Sequence, residues 1–122
     1  MIACRFSEAI QYTEEAIRLD PFPHNTYFQQ LGNCYRFVGR YEEALVQFKK
    51  AHKLEPNSLF ANIGLAHTYA TLGRMEEARV AAAEVLRLNP KFSVDLYAKR
   101  LPFKDQSVID NLVDALRKAG LK

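Results

Sequence analysis

A shift of 34 residues lays positions 25–58 of this 122-residue chain over positions 59–92 and leaves ten identities. They are Leu31/Leu65, Tyr35/Tyr69, Gly39/Gly73, Arg40/Arg74, Glu42/Glu76, Glu43/Glu77, Ala44/Ala78, Val46/Val80, Leu54/Leu88 and Pro56/Pro90. Chance matching at ordinary composition gives roughly two. Gly32/Ala66, Tyr41/Met75 and Ala51/Val85 add conservative pairs. A period of this length constrains the fold severely: each copy is one supersecondary unit that must stack on its neighbour to bury its apolar face. A partial copy comes first, at a shift of 35. Arg5-Phe6-Ser7-Glu8-Ala9-Ile10 matches Arg40-Tyr41-Glu42-Glu43-Ala44-Leu45, and Ala16, Leu19 and Pro21 match Ala51, Leu54 and Pro56.

Each unit reads as two helices. Phe28, Leu31, Tyr35 and Val38 recur at spacings of three and four, an apolar stripe of helical period. Gly39, and Gly73 in the next unit, supply the backbone freedom for a helix C-terminus. The second helix buries Tyr41, Ala44, Leu45, Phe48 and Ala51, and its first turn carries Glu42 and Glu43 at the positive end of the helix dipole. Pro56 and Pro90 end the units because proline cannot continue the hydrogen-bond ladder. Gly32, Ala44, Ala66 and Ala78 stand where paired helices have to approach closely.

These residues resemble the tetratricopeptide repeat family, through Leu31-Gly32, Tyr35, Gly39 to Ala44, Phe48, Ala51 and Pro56. The resemblance covers residues 5–92. It implies an all-α, right-handed superhelical solenoid of antiparallel helix pairs, with a C-terminal capping helix. The departures are Phe28 where a tryptophan is common, the polar Asn62 at the matching place, and Ala82 in place of the aromatic at Phe48. The second unit is therefore expected to be packed more thinly. The organisation expected is one domain: a half repeat at 1–21, full repeats at 25–58 and 59–92, and a short helix plus cap at 93–122.

The family pattern would place a helix before residue 5. A lone second helix carrying Phe6, Ile10, Ile17 and Leu19 leaves one face uncovered, so we expect the C-terminal piece of a longer protein, with pairing of two chains through that face as one outcome. At the other end, Ser93 reads as the N-cap of a short helix ended by Pro102. Asp105 caps a last helix with Val108, Ile109, Leu112, Val113 and Leu116 on its apolar side, Asn111, Asp114, Arg117 and Lys118 on its wet side, and Gly120 closing it. This tail resembles those ending repeat regions in some bacterial signalling proteins, among them class III nucleotide cyclases of alpha-proteobacteria. No cyclase catalytic segment occurs in the chain.

Composition and motifs narrow the function. At 48% hydrophobic and 25% charged residues, the chain has the balance of a globular domain, and it contains no apolar run long enough to span a bilayer. The N-terminus lacks the features of a secretory signal, so a cytoplasmic location is expected. Cys4 and Cys34 read as small thiols in a reducing compartment. The net charge of +3 arises wholly from residues 91–122, a bias far short of a nucleic-acid arm. No phosphate loop, nucleophile motif or metal-ligand cluster is present, so no cofactor and no catalytic role are expected. Glu14-Glu15, Glu42-Glu43 and Glu76-Glu77 are adjacent pairs that diverge by about 100° around a helix and do not converge as an acid–base dyad. His24 and His52 read as structural or surface residues; His67, on a first helix, is a candidate for the groove. Lys49, Lys50 and Lys53 read as a solvated helix face.

The resemblance implies instead a concave surface lined by the first helix of each unit, which takes extended peptides or a partner's helix. Carried over, it gives Thr26, Gln29, Asn33, Arg36 and Phe37 from one unit and Phe60, Ile63, His67, Ala70 and Thr71 from the next, with Tyr97 extending the floor. One subgroup of the family grips the C-terminal carboxylates of heat-shock chaperones. Asn33 matches one of its clamp positions, but Gln29 replaces a lysine and Gly64 an asparagine, which disfavours that ligand. The leading reading is an interaction module for a protein or peptide. The alternative is a structural or regulatory tail of a larger signalling enzyme, packed on its own catalytic domain or self-associating. Nucleic-acid contact through the basic tail ranks below both, and no membrane partner is expected.

Overall fold

A computed structural model describes the backbone of residues 2–101 and 105–122 and the side chains of 7–101 and 105–122. The readings placed on Cys4, Phe6 and Pro102 lie outside the described side chains. Seven helices account for the described fold, with no strand among these residues: α1 (Ile2–Leu19), α2 (Asn25–Phe37), α3 (Tyr41–Leu54), α4 (Leu59–Thr71), α5 (Met75–Leu88), α6 (Val94–Lys99) and α7 (Gln106–Lys118). α2 pairs with α3 and α4 with α5, α1 packs on α2, and α3 packs on α4, so the pairs stack as a solenoid. α7 then folds back onto α4 and α6. No helix among the described residues is long and apolar enough to cross a membrane.

The identities between the units have a structural reason. Gly39 and Gly73 take φ of 85° and 81°, a left-handed conformation that ends α2 and α4 without a Cβ penalty. The next amide closes each turn: Arg40 N donates to Tyr35 O and Arg74 N to Tyr69 O, both over 2.8 Å. Each arginine then lies over the ring of that same tyrosine, at 4.6 Å for Arg40 and 5.0 Å for Arg74. Their Nε atoms donate to Glu43 and Glu77 in the first turn of the next helix, over 2.7 and 2.8 Å. Tyr, Gly, Arg and Glu are thus one repeated device that sets the angle between paired helices.

Inside the stack Phe48 is fully buried, and its ring lies against two glycines. A Cβ placed on Gly32 would sit 2.9 Å from the ring, and one on Gly64 only 2.3 Å from it. Both first helices therefore approach α3 closely. At the equivalent of Phe28, Asn62 is buried, yet its amide donates to Pro56 O at 3.1 Å and Ser58 O at 2.9 Å. It thereby holds the turn before α4, and these bonds offset the cost of burying its amide NH₂ group. Beside the second unit a recess of 480 Å³ lies between α3 and α5, lined by Lys49, His52, Tyr69 and Val80 among others.

Local signals set the helix starts. Side chains of Ser58, Ser93 and Asp105 accept amide bonds in the first turns of α4, α6 and α7, and His24 Nδ1 caps α2 through Thr26 N at 3.2 Å. Of the apolar residues read on α1, Ile10 is buried and Ile17 packs against the core, while Leu19 is 72% exposed. The last helix buries Leu112 and Leu116 completely. Gly120, at φ 111°, turns the chain so that Leu121 N reaches Leu116 O over 3.0 Å and the Leu121 side chain enters the core.

Candidate partner-binding site

α4 contains no Asp, Glu, Lys or Arg, and its residues 61–69 are all buried. Its inner face does not look into open solvent, because α7 covers it. Arg36, Ile63 and His67, expected to line an open groove, are only 2%, 1% and 2% exposed. Packing of α6 and α7 across the second unit makes them part of the floor.

Arg36 organises that floor. Nε donates to Asn33 Oδ1 at 3.1 Å, Nη1 to His67 Nδ1 at 3.0 Å, and Nη2 to the Tyr97 hydroxyl at 2.5 Å. The guanidinium also lies 4.4 Å from the Phe37 ring centroid and 5.7 Å from that of Phe48. No carboxylate pairs with it among the described residues, so a buried cation is solvated only by neutral acceptors and ring faces. His67 is held neutral: burial first, and the Arg36 charge second, push its imidazole down to about 3. With Nδ1 accepting from Arg36, the ring proton sits on Nε2, which faces Asn111 Oδ1 of α7 at 3.4 Å. Asn111, assigned by the sequence to the wet side of the cap, thus joins the cap to the floor.

Next to this network a cavity of 530 Å³ opens between the start of α4, the α5–α6 turn and α6. Asn33, Phe60, Ile63 and Tyr97 line it together with Leu59, Phe92, Leu96 and Leu101. Lys91 and Arg100 complete the wall, along with Asn89 and Ser93. Phe60 and Leu96 are 61% and 55% exposed, large apolar side chains presented to solvent at the cavity. The other expected groove residues lie elsewhere. Thr26 is exposed, its hydroxyl 2.8 Å from His24 Nδ1, and Gln29 donates to the capping Ser58 Oγ at 2.8 Å. Phe37 lies under Arg36, and Ala70 and Thr71 are half-buried further along α4. Sequence reasoning did not bring Lys91, Phe92, Leu96 or Arg100 to the site; the positive bias after residue 90 was their one visible sign.

The tetratricopeptide repeat profile matches residues 38–100, just over half of the chain. The chain belongs to the tetratricopeptide repeat family. Repeats of this family serve as scaffolds and interaction surfaces rather than as enzymes. The human Superkiller complex protein 3 is 34% identical over 76 residues, which is 62% of this chain and 5% of that protein. A Rhizobium meliloti (strain 1021) protein provisionally named adenylate cyclase 3 is 50% identical over 38 residues, 31% of this chain and 6% of that one. The chain thus spans only about a twentieth of the length of these curated relatives. Among solved structures, PcrH from Pseudomonas aeruginosa superposes with a TM-score of 0.66 at 20% identity, covering 96% of this chain and 80% of that chain. PcrH in complex with the chaperone binding region of PopD gives a TM-score of 0.67 at the same identity and coverage. At that identity the likeness is one of fold.

Proposed function

We propose that this domain holds a segment of another protein on its inner face, in the cavity between α4 and α6. The observation that carries the reading is the pair Phe60 and Leu96, exposed beside a 530 Å³ cavity on the face built by the first helices of the repeats. Apolar side chains clustered around a concavity with a few polar groups are the usual form of a recognition site. Membership of the repeat family supports it, as does the PcrH fold, which has been seen with a segment of another protein. Asn33, Phe60 and Tyr97 then act as contact residues. Arg36, Ile63 and His67 hold the floor, while Thr26, Gln29, Phe37 and Thr71 shape the helices around it.

Site-specific photocrosslinking tests this in the source cells. A benzoylphenylalanine at position 60 should yield a discrete adduct with one partner, and one at Val46, exposed on α3, should not. Equal adducts from both positions, or none from position 60, would remove the cavity from the account.

A second reading has its own support in the match to the provisionally named cyclase. In it the domain is a regulatory tail of a signalling enzyme, resting on its own catalytic domain or pairing through the exposed Tyr12 and Phe22 beside α1. Here the position 60 adduct forms within one polypeptide, or sedimentation at high concentration shows a dimer that Tyr12→Ser dissolves.

A further inference from the structure

Resting on the reading that the α4–α6 cavity takes a protein segment, we infer that its occupant is an internal, extended stretch with one bulky apolar side chain flanked on both sides by carboxylates. The charges around the cavity all have one sign. Lys91 and Arg100 line it, no Asp or Glu does so among the described residues, and neither cation has an ion-pair partner among them. Lys91 lies three residues before α6 and Arg100 is its C-cap, so the two cations come from opposite ends of a helix roughly 9 Å long. An extended chain advances about 3.3 Å per residue, so two carboxylates roughly two to four residues apart match that span.

The polar groups between those cations are donors as well. Arg36 occupies the Asn33 carbonyl oxygen and one lone pair of the Tyr97 hydroxyl, leaving the Asn33 NH₂ and the Tyr97 O–H without an acceptor among the described residues. Asn33 and Tyr97 therefore offer a ligand hydrogen to donate, backed by a buried positive charge with no carboxylate partner among the described residues. A basic segment would meet three cations and no carboxylate among the described residues, whereas an acidic one supplies the missing negative charge. Leu59, Phe60 and Leu96 provide the apolar contact between the two charged ends. The separation of Lys91 from Arg100 favours two side-chain carboxylates along a strand over one terminal carboxylate, for which the cations would have to converge.

The test is selection of the purified 122-residue protein against a randomised dodecapeptide library, followed by fluorescence-polarisation titration of the winners. The expected winners carry Asp or Glu on both sides of Leu, Ile, Phe or Met. Charge reversal in Lys91→Glu/Arg100→Glu should weaken them by about tenfold or more at low salt, an effect of rim charges that added salt reduces. Both substitutions are at exposed positions, and an unchanged circular dichroism spectrum verifies the fold. Winners without acidic preference that Phe60→Ser still abolishes would overturn this inference and leave the cavity reading standing. Absence of any winner above the blank, or winners indifferent to Phe60→Ser, would overturn both.

Discussion

Arg36 of α2 donates from Nη1 to Nδ1 of His67 in α4 over 3.0 Å, joining a buried cation to an imidazole that can accept the bond only while neutral. One residue comes from each full repeat, so the bond is also a tie between the units. Because both groups are buried, protonating the imidazole would place two positive charges side by side in a poorly solvated site.

A pH dependence follows. The His67 imidazole is depressed from its ordinary 6.5 to about 3, so the unfolded chain takes up a proton in a range where the folded one does not. The stability from neutral His67 is fully present above about pH 6.5 and is lost as pH falls toward the folded value, with a slope of about 1.4 kcal/mol per pH unit. Urea melts between pH 7 and pH 4 measure it. His67→Gln should flatten the slope by about one proton's worth; an unchanged slope would move the effect to another group.

Removing the arginine separates its packing from its charge. Arg36→Ala deletes the bonds to Asn33, His67 and Tyr97 and leaves a void against Phe37, which should cost about 2–4 kcal/mol. Arg36→Met keeps most of the volume and eliminates a buried charge that has no carboxylate partner, so it should cost at most about 1 kcal/mol. Chemical denaturation distinguishes them. Equal losses would mean that the charge itself stabilises the fold.

Much of this fold was legible because the signals are local. The turn through Gly39 and Gly73, and the caps at Ser93 and Asp105, depend on residues a few positions apart and were read from the sequence. The floor was not. Arg36 meets Tyr97 of α6 across 61 positions and His67 meets Asn111 of α7 across 44, contacts set by how the C-terminal helices fold back over the repeats. One sign of that cover was available: α4, from Leu59 to Thr71, has no charged residue, and a helix without a polar face is buried on all sides. Reading α4 as the open lining of a groove passed over that.

The cover itself is testable. Leu112 is fully buried in α7, and Leu112→Ala should cost about 2–5 kcal/mol by leaving a cavity. It should also loosen α7 from α4 and admit water to His67. NMR titration of the His67 ring then gives a pKa moved up toward its ordinary value, whereas a pKa that stays put would mean that α7 does not bury the ring.

Close approach at α3 gives a prediction in the opposite sense. Gly64→Ala drives a methyl to within 2.3 Å of the Phe48 ring and Gly32→Ala to within 2.9 Å, so both should destabilise by about 1–3 kcal/mol, Gly64 the more. Phe48→Leu in the same chain should recover part of the Gly64→Ala loss. Additive losses in that double-mutant cycle would show that the methyl and the ring do not compete for space.

The most direct measurement of the central claim is an amide NMR titration of the whole chain with a library-selected peptide. Binding between α4 and α6 should shift the signals of Phe60, Leu96, Tyr97 and Arg100 progressively, while Val46 on α3 and Val80 on α5 stay in place. Shifts concentrated at Val46 and Val80, or along α1, with Phe60 and Tyr97 unmoved, would contradict it.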